Sequence, residues 1–181
     1  MTKIYSFLIV FLAFFTVSAQ NSEPKTGPII DDYGSSYKIK KADLELSKGK
    51  EYKVIFDVFT DNSKKGKINP LINTVARYLN MHANQGVKAK NMKIALILHG
   101  SATKSVLSDK AYKDLYNKEN PNAELLKKLK KADVEIYVCG QSLLFNKYEL
   151  KDVSENVEVS LSALTALVAY QSNGYQIINF N

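Results

Sequence analysis

The sequence predicts an α/β domain built on a mainly parallel sheet of about five strands. Three observations carry that prediction. From residue 50 onward, short β-branched and aromatic runs alternate with stretches of helical periodicity. Two of the runs, Val54 to Val58 and Met92 to Leu98, are nearly continuous in apolar residues, the pattern of strands covered on both faces. The segments between runs are long enough to hold a crossover helix, which parallel pairing requires and a hairpin does not. Helices on both faces of the sheet give a three-layer domain.

The elements follow in order. Lys3 supplies a positive start, and Ile4 to Val17 is almost entirely apolar. Ser18 and Ala19 then offer the small residues of a signal-peptidase site, so residues 1–19 read as a signal peptide cleaved between Ala19 and Gln20. The apolar run falls short of the roughly 20 residues of a spanning helix, and no stable membrane anchor is expected after cleavage; an uncleaved anchor is the alternative. Residues 20–49 read as a flexible leader, with Pro24, Gly27, Pro28 and Gly34 among polar neighbours, and Leu44 and Leu46 leave room for an edge strand over Tyr37 to Leu46. Residues 50–181 are the α/β domain. Tyr52 to Phe59 is its first strand. Asn69 and Pro70 form a helix start as N-cap and first-turn proline, with Leu71, Val75, Leu79 and His82 at helical spacing and Gly86 as the stop. Met92 to Leu98 is the second strand. A polar helical region follows in two pieces, restarted at Asn120-Pro121 and continued through Leu125, Leu126 and Leu129. Val134 to Val138 is the third strand and Val157 to Val159 a weak fourth. Ser160 is expected to cap a helix carrying Leu161, Leu164, Leu167 and Val168, Gly174 to end it, and Tyr175 to Phe180 to form the last strand.

Composition narrows the function classes. With 45% hydrophobic and 24% charged residues in 181, the chain has the balance of one ordinary folded domain. The net charge is +7, and removing residues 1–19 with Lys3 leaves +7 − 1 = +6. Of the 25 basic residues only Arg77 is an arginine, whereas nucleic-acid readers favour arginine for bidentate contacts. The lysines are spread over loops and helix ends, so solvated surface is the expected reading and nucleic acid is not an expected partner. Export points to a periplasmic or secreted location. The single cysteine has no partner for an internal bridge.

Ligands of open parallel sheets gather at the carboxyl ends of the strands. Two segments fall there. His99-Gly100-Ser101-Ala102 leaves the strand Met92 to Leu98, and Cys139-Gly140-Gln141-Ser142 leaves the strand Val134 to Val138. A thiol at a strand end, just before a helix or turn, meets unsatisfied backbone N–H groups that favour the thiolate. Cys139 is therefore the candidate nucleophile, expected to be accessible at the mouth of a cleft; a small buried hydrophobe is the alternative role. An unpaired thiol in an oxidising compartment is a standing hazard unless it has a use. His99 is a candidate base or hydrogen-bond donor beside it, and Gly100, Ser101, Gly140, Gln141 and Ser142 are candidates to hold a ligand or stabilise the thiolate. His82 belongs to a packing stripe. Two histidines and one distant cysteine give no metal-site spacing, and no cofactor is expected. Gly100 to Ser105 lacks the second glycine of a phosphate loop, and neither Ser101 nor Ser142 sits in a nucleophile elbow.

The segments KIALILHGSA, VEIYVCGQSL and SALTALVAYQSNGYQIINF resemble the DsrE/DsrF-like family, also called YchN-like, over roughly residues 50–180. The resemblance implies a flavodoxin-like parallel sheet and a homo-oligomer, a trimer or a hexamer of paired trimers. It also implies persulfide chemistry, with Cys139 at the position of the sulfur-carrying cysteine and a sulfur-donor or acceptor protein as partner. At most the activity would be sulfurtransferase-like. After Cys139 the chain runs Gly-Gln-Ser-Leu-Leu-Phe-Asn-Lys, without the Arg-Gly ending common in relay members. That departure, with export, keeps a second expectation open: a non-catalytic small-ligand-binding or assembly module of the same fold.

Overall fold

The computed structural model describes residues 23–64 and 66–180; the expected signal segment, residues 1–19, and the expected Ala19–Gln20 junction lie outside the described residues. Five parallel strands form one sheet: β1 Tyr52–Val58, β2 Met92–Leu98, β3 Glu135–Cys139, β4 Glu158–Ser160 and β5 Gln176–Asn179. Their order is β4-β3-β2-β1-β5. The third strand starts one residue later than the apolar run suggests and ends on Cys139 itself. β1 and β2 pair along their full length, from Tyr52 beside Met92 to Val58 beside Leu98.

This order decides the layers. The chain steps β1, β2, β3, β4 in one direction, so right-handed crossovers put α1 (Pro70–Asn84), α3 (Ala123–Lys131) and α4 (Gly140–Phe145) on one face. The last crossover returns over the whole sheet and lays α5 (Ala163–Ser172) on the other face. Side chains alternate along each strand. Phe56, Leu96 and Val138 accordingly join Ile72, Leu125 and Leu143 in the larger core. Ile55, Ile97 and Cys139 face Ala163 and Ala166 in the smaller one.

Local chemistry accounts for the elements. Asn69 caps α1 by accepting the Leu71 N–H at 2.9 Å, with Pro70 first in the helix. The buried stripe of α1 is Ile72, Val75, Ala76 and Leu79. His82 falls to its margin, where its ring stacks on Tyr78 at 3.8 Å. A tight 3-10 segment, Gly100–Val106, precedes the short α2 (Asp109–Tyr116). Asn120 does not cap α3 but donates to the Ser105 and Leu107 carbonyls at 3.0 and 2.7 Å, tying the two pieces together. Ser162, not Ser160, caps α5 by accepting the Thr165 N–H. Ser160 is the last residue of β4 and donates to the Val138 carbonyl.

The stretch expected to be a flexible leader is docked over much of its described length. Ile30 is buried in the larger core. Asn80 of α1, itself fully buried, accepts from the Ile29 and Ile30 N–H groups and donates to the Ile30, Tyr33 and Gly34 carbonyls. One side chain thus satisfies backbone groups that no strand could reach. The edge strand anticipated over Tyr37 to Leu46 is not formed. Leu44 stands in solvent there, and β5 takes the place beside β1 instead.

Candidate functional site

The strands β1, β2 and β3 end level, with Val58 beside Leu98 and Leu98 beside Val138. The next residues of the second and third strands are His99 and Cys139, so the two predicted segments meet at one edge. Alternation of side chains along extended backbone brings Asp57, His99 and Cys139 out on the α5 face. The sulfur lies in a ring of donors. The Ser142 N–H points at Sγ from 3.4 Å, and the Ser142 hydroxyl and the N–H groups of Ala163 and Gln141 lie near enough to favour its anionic form.

Two opposing effects set the acidity of this thiol. Burial is the largest and pushes it up. The hydrogen bonds from the Ser142 hydroxyl and from the Ser142, Ala163 and Gln141 N–H groups together outweigh burial and hold it below the ordinary cysteine value. Ser142 also joins the two segments. Its Oγ accepts the Gly100 N–H at 3.1 Å, so its own hydrogen is left for the sulfur. Gly140 permits this convergence: a Cβ there would lie 2.9 Å from the Ser160 carbonyl oxygen. It admits a backbone neighbour, not a ligand, and lets the starts of α4 and α5 reach the same atom.

The expectation of an open thiol is corrected. Cys139 is only 4% exposed, packed with Ile55, Ile97, Ala163 and Ala166. The cleft lies alongside it, about 550 Å³ in volume, lined by Phe59, Gly100, Ser101, Gln141, Ser142, Phe145 and Asn146. Four of the five predicted supporting residues therefore line a cleft, and Ser142 separates that cleft from the sulfur. Phe59 and Phe145 form exposed aromatic walls, 57% and 87% accessible. Gly100, at φ +54°, lets the Phe59 ring lie against the loop, since a Cβ would sit 2.4 Å from Cε2. Asn146 braces the floor by donating to the Gly100 carbonyl and to Thr103 Oγ1, both at 2.9 Å. Ser101 accepts the Asp61 N–H at 3.1 Å.

His99 reaches the predicted site, but its ring bonds Asp57: Nε2 lies 2.7 Å from Oδ1. The ring also packs edge-on against Phe59 with centroids 5.0 Å apart. Sequence reasoning missed Asp57, Phe59 and Phe145. Asp57 carried a signal, being a carboxylate inside the apolar run Val54 to Val58, where an unpaired charge is costly. Phe145 carried none, because an exposed aromatic is visible only in three dimensions. A second groove, of about 430 Å³, runs between residues 36–48 and the end of α1 at Met81 and His82. It lies toward the amino edge of the sheet, far from the thiol.

A family model, the DsrE/DsrF-like family, matches residues 53–180. The chain belongs to the DsrE/DsrF-like family. Among solved structures, the chain is similar to MTH1491, a protein of unknown function from Methanobacterium thermoautotrophicum. The two share 18% identity and a TM-score of 0.53, over 72% of this chain and 100% of the other. The chain is also similar to the ychN protein of E. coli, at 15% identity and a TM-score of 0.49, over 71% of this chain and 99% of that one. No curated protein matches. At these identities the structural likeness concerns the fold, and the five-stranded parallel sheet with helices on both faces is the DsrE-like architecture.

Proposed function

We propose that this DsrE/DsrF-like protein is an exported, periplasmic or secreted, thiol-based sulfur carrier that holds sulfane sulfur as a persulfide on Cys139. One observation supports this reading above the others. The only thiol of the chain sits at the end of a central strand, ringed by hydrogen-bond donors that hold it below its ordinary acidity despite burial. Such a ring offsets the cost of burying an anionic sulfur and has little purpose for a mere packing residue. Loading is a displacement. The thiolate attacks a terminal sulfur of a polysulfide, the donor S–S bond breaks with its electron pair on the shortened polysulfide, and Cys139 gains one sulfur. The donors that held the thiolate then face the inner sulfur, and the outer one projects toward the cleft beyond Ser142. A homo-oligomer, trimeric or hexameric, fits the apolar outer face of α5, where Leu161, Leu164 and Val168 stand exposed.

Intact-mass spectrometry of the mature protein after polysulfide treatment tests the proposal. The expected result is a gain of one sulfur that is absent from Cys139→Ser. An equal gain in the variant sinks it. The 4% exposure of Cys139 favours a second reading, a non-catalytic module in which the cleft holds a small ligand and assembly dominates. In that case thiol-reactive probes label the native protein slowly at every pH, and Cys139→Ala is silent.

A further inference from the structure

The pairing of Asp57 with His99 is unexplained by thiolate stabilisation, because neither group bonds the sulfur. Asp57 is 11% exposed at its side chain and stands in an otherwise apolar strand, a position a carboxylate occupies at a cost unless it is paired. Its partner is one specific atom, Nε2 of His99, at 2.7 Å. A carboxylate oxygen accepts only, so Nε2 carries the hydrogen and Nδ1 is left as the basic nitrogen. His99 and Cys139 follow the paired residues Leu98 and Val138 on adjacent parallel strands, roughly 4.8 Å apart by strand spacing. The His99 ring lies under Phe59, the aromatic wall of the cleft. A base held at the boundary between thiol and cleft suits a reactant that arrives with a proton to lose. The cleft lining itself contains no charged side chain, and the cation nearest to it, Lys104 behind Ser101, is paired with Asp61.

We propose that Asp57 is a positioning residue that orients His99 as the base taking the proton of the thiol that accepts sulfur from Cys139. This rests on the sulfur-carrier reading and adds to it the residue that sets up the proton transfer. The acceptor thiol gives its proton to His99 Nδ1 as its sulfur attacks the outer sulfur of the Cys139 persulfide. The S–S bond to Cys139 breaks, its pair stays on Sγ, and the acceptor leaves as a persulfide. No net oxidation or reduction occurs. A free thiol, with a pKa near 8.5, is mostly protonated at neutral pH and needs that base. Sulfite at mildly alkaline pH brings no proton and does not.

The test compares discharge rates of the persulfidated full-length mature protein to two acceptors, a phenylalanine-flanked cysteine peptide or 2-phenylethanethiol on one side and sulfite on the other. Loading is first verified by intact mass. In Asp57→Asn and His99→Gln, discharge to both organic thiols should fall at least tenfold, in the rate constant at saturation, while discharge to sulfite stays within twofold. Asp57→Glu should recover part of the thiol rate. If only the peptide or only the small thiol is affected, the source of the acceptor is identified. Equal losses with both acceptor classes, or no loss, overturn the inference while leaving the carrier reading intact. A wild-type protein that takes up no sulfur overturns both.

Discussion

At Cys139 the decisive balance is between burial and hydrogen bonding. Burial alone would give an inert thiol, and the donor ring reverses the sign. Ser142 is the pivot, since its hydroxyl and its N–H both reach Sγ while its Oγ accepts from Gly100. Removing that hydroxyl leaves burial with less to oppose it, so the thiol pKa must rise. In Ser142→Ala the pH of half-maximal labelling by iodoacetamide is therefore expected to move upward, and labelling at neutral pH to slow several-fold. A midpoint that stays put, or moves downward, contradicts the balance. Restoration by Ser142→Thr, which keeps the hydroxyl, separates this effect from a change in packing.

Among the elements, α1 does more than cover the sheet. Its buried Asn80 makes five hydrogen bonds to the segment around Ile29 to Gly34, and Asn73 accepts the Gly34 N–H at 2.8 Å. The helix substitutes for a neighbouring strand. Asn80→Ala leaves several buried backbone groups without partners, each costing about 1–3 kcal/mol when water cannot replace the bond. A loss of roughly 3 kcal/mol in urea unfolding is expected, together with early protease cleavage among residues 23–36. A loss below about 1 kcal/mol with no new cleavage would mean that Ile30 burial alone holds the segment. The same logic of polar groups in dry places runs through Asn69, Asn120 and Asn122. The Asn69 N–H donates to Asn122 at 2.7 Å, and Asn122 in turn donates to Asn120 at 2.9 Å. These bonds fix the loops that carry Phe59 and Gly100 to the cleft.

For the whole molecule, the unequal coverage of the sheet matters most. Helices α1, α3 and α4 crowd one face, and among the described residues only the ten-residue α5 covers the other. α5 is apolar nearly all round, with Leu164 78% exposed and Leu161, just before its N-cap, 72% exposed. A helix of that kind is usually covered on both sides. Because Ala163, at the start of α5, packs against Cys139, anything covering this helix also sits over the thiol. Light scattering of the protein comprising residues 20–181 should give the mass of a homo-oligomer, and Leu164→Glu should shift it to the monomer at micromolar concentration. A wild-type monomer would remove assembly from the proposal.

The strands and most helices were legible in the amino-acid order because their signals are local. Met92 to Leu98 is apolar at almost every position, and Asn69-Pro70 is a start signal that acts within one turn. The cysteine and histidine segments could be placed at the carboxyl edge for the same reason, since a parallel strand carries its end residues there. Local order could not say that β2 lies between β1 and β3, and so it could not say that His99 and Cys139 are neighbours. It also made residues 25–36 read as a flexible leader, because their partners are 50 positions away on α1. Whether the sulfur is open or covered, which atom His99 holds, and which glycine faces backbone instead of ligand are properties of long-range packing. Sequence determined which chemistry is present, through periodicities and residue types that act over a few bonds. Tertiary structure alone decided which of those groups touch, because contact between distant residues depends on strand order and on the side of the sheet to which each crossover returns.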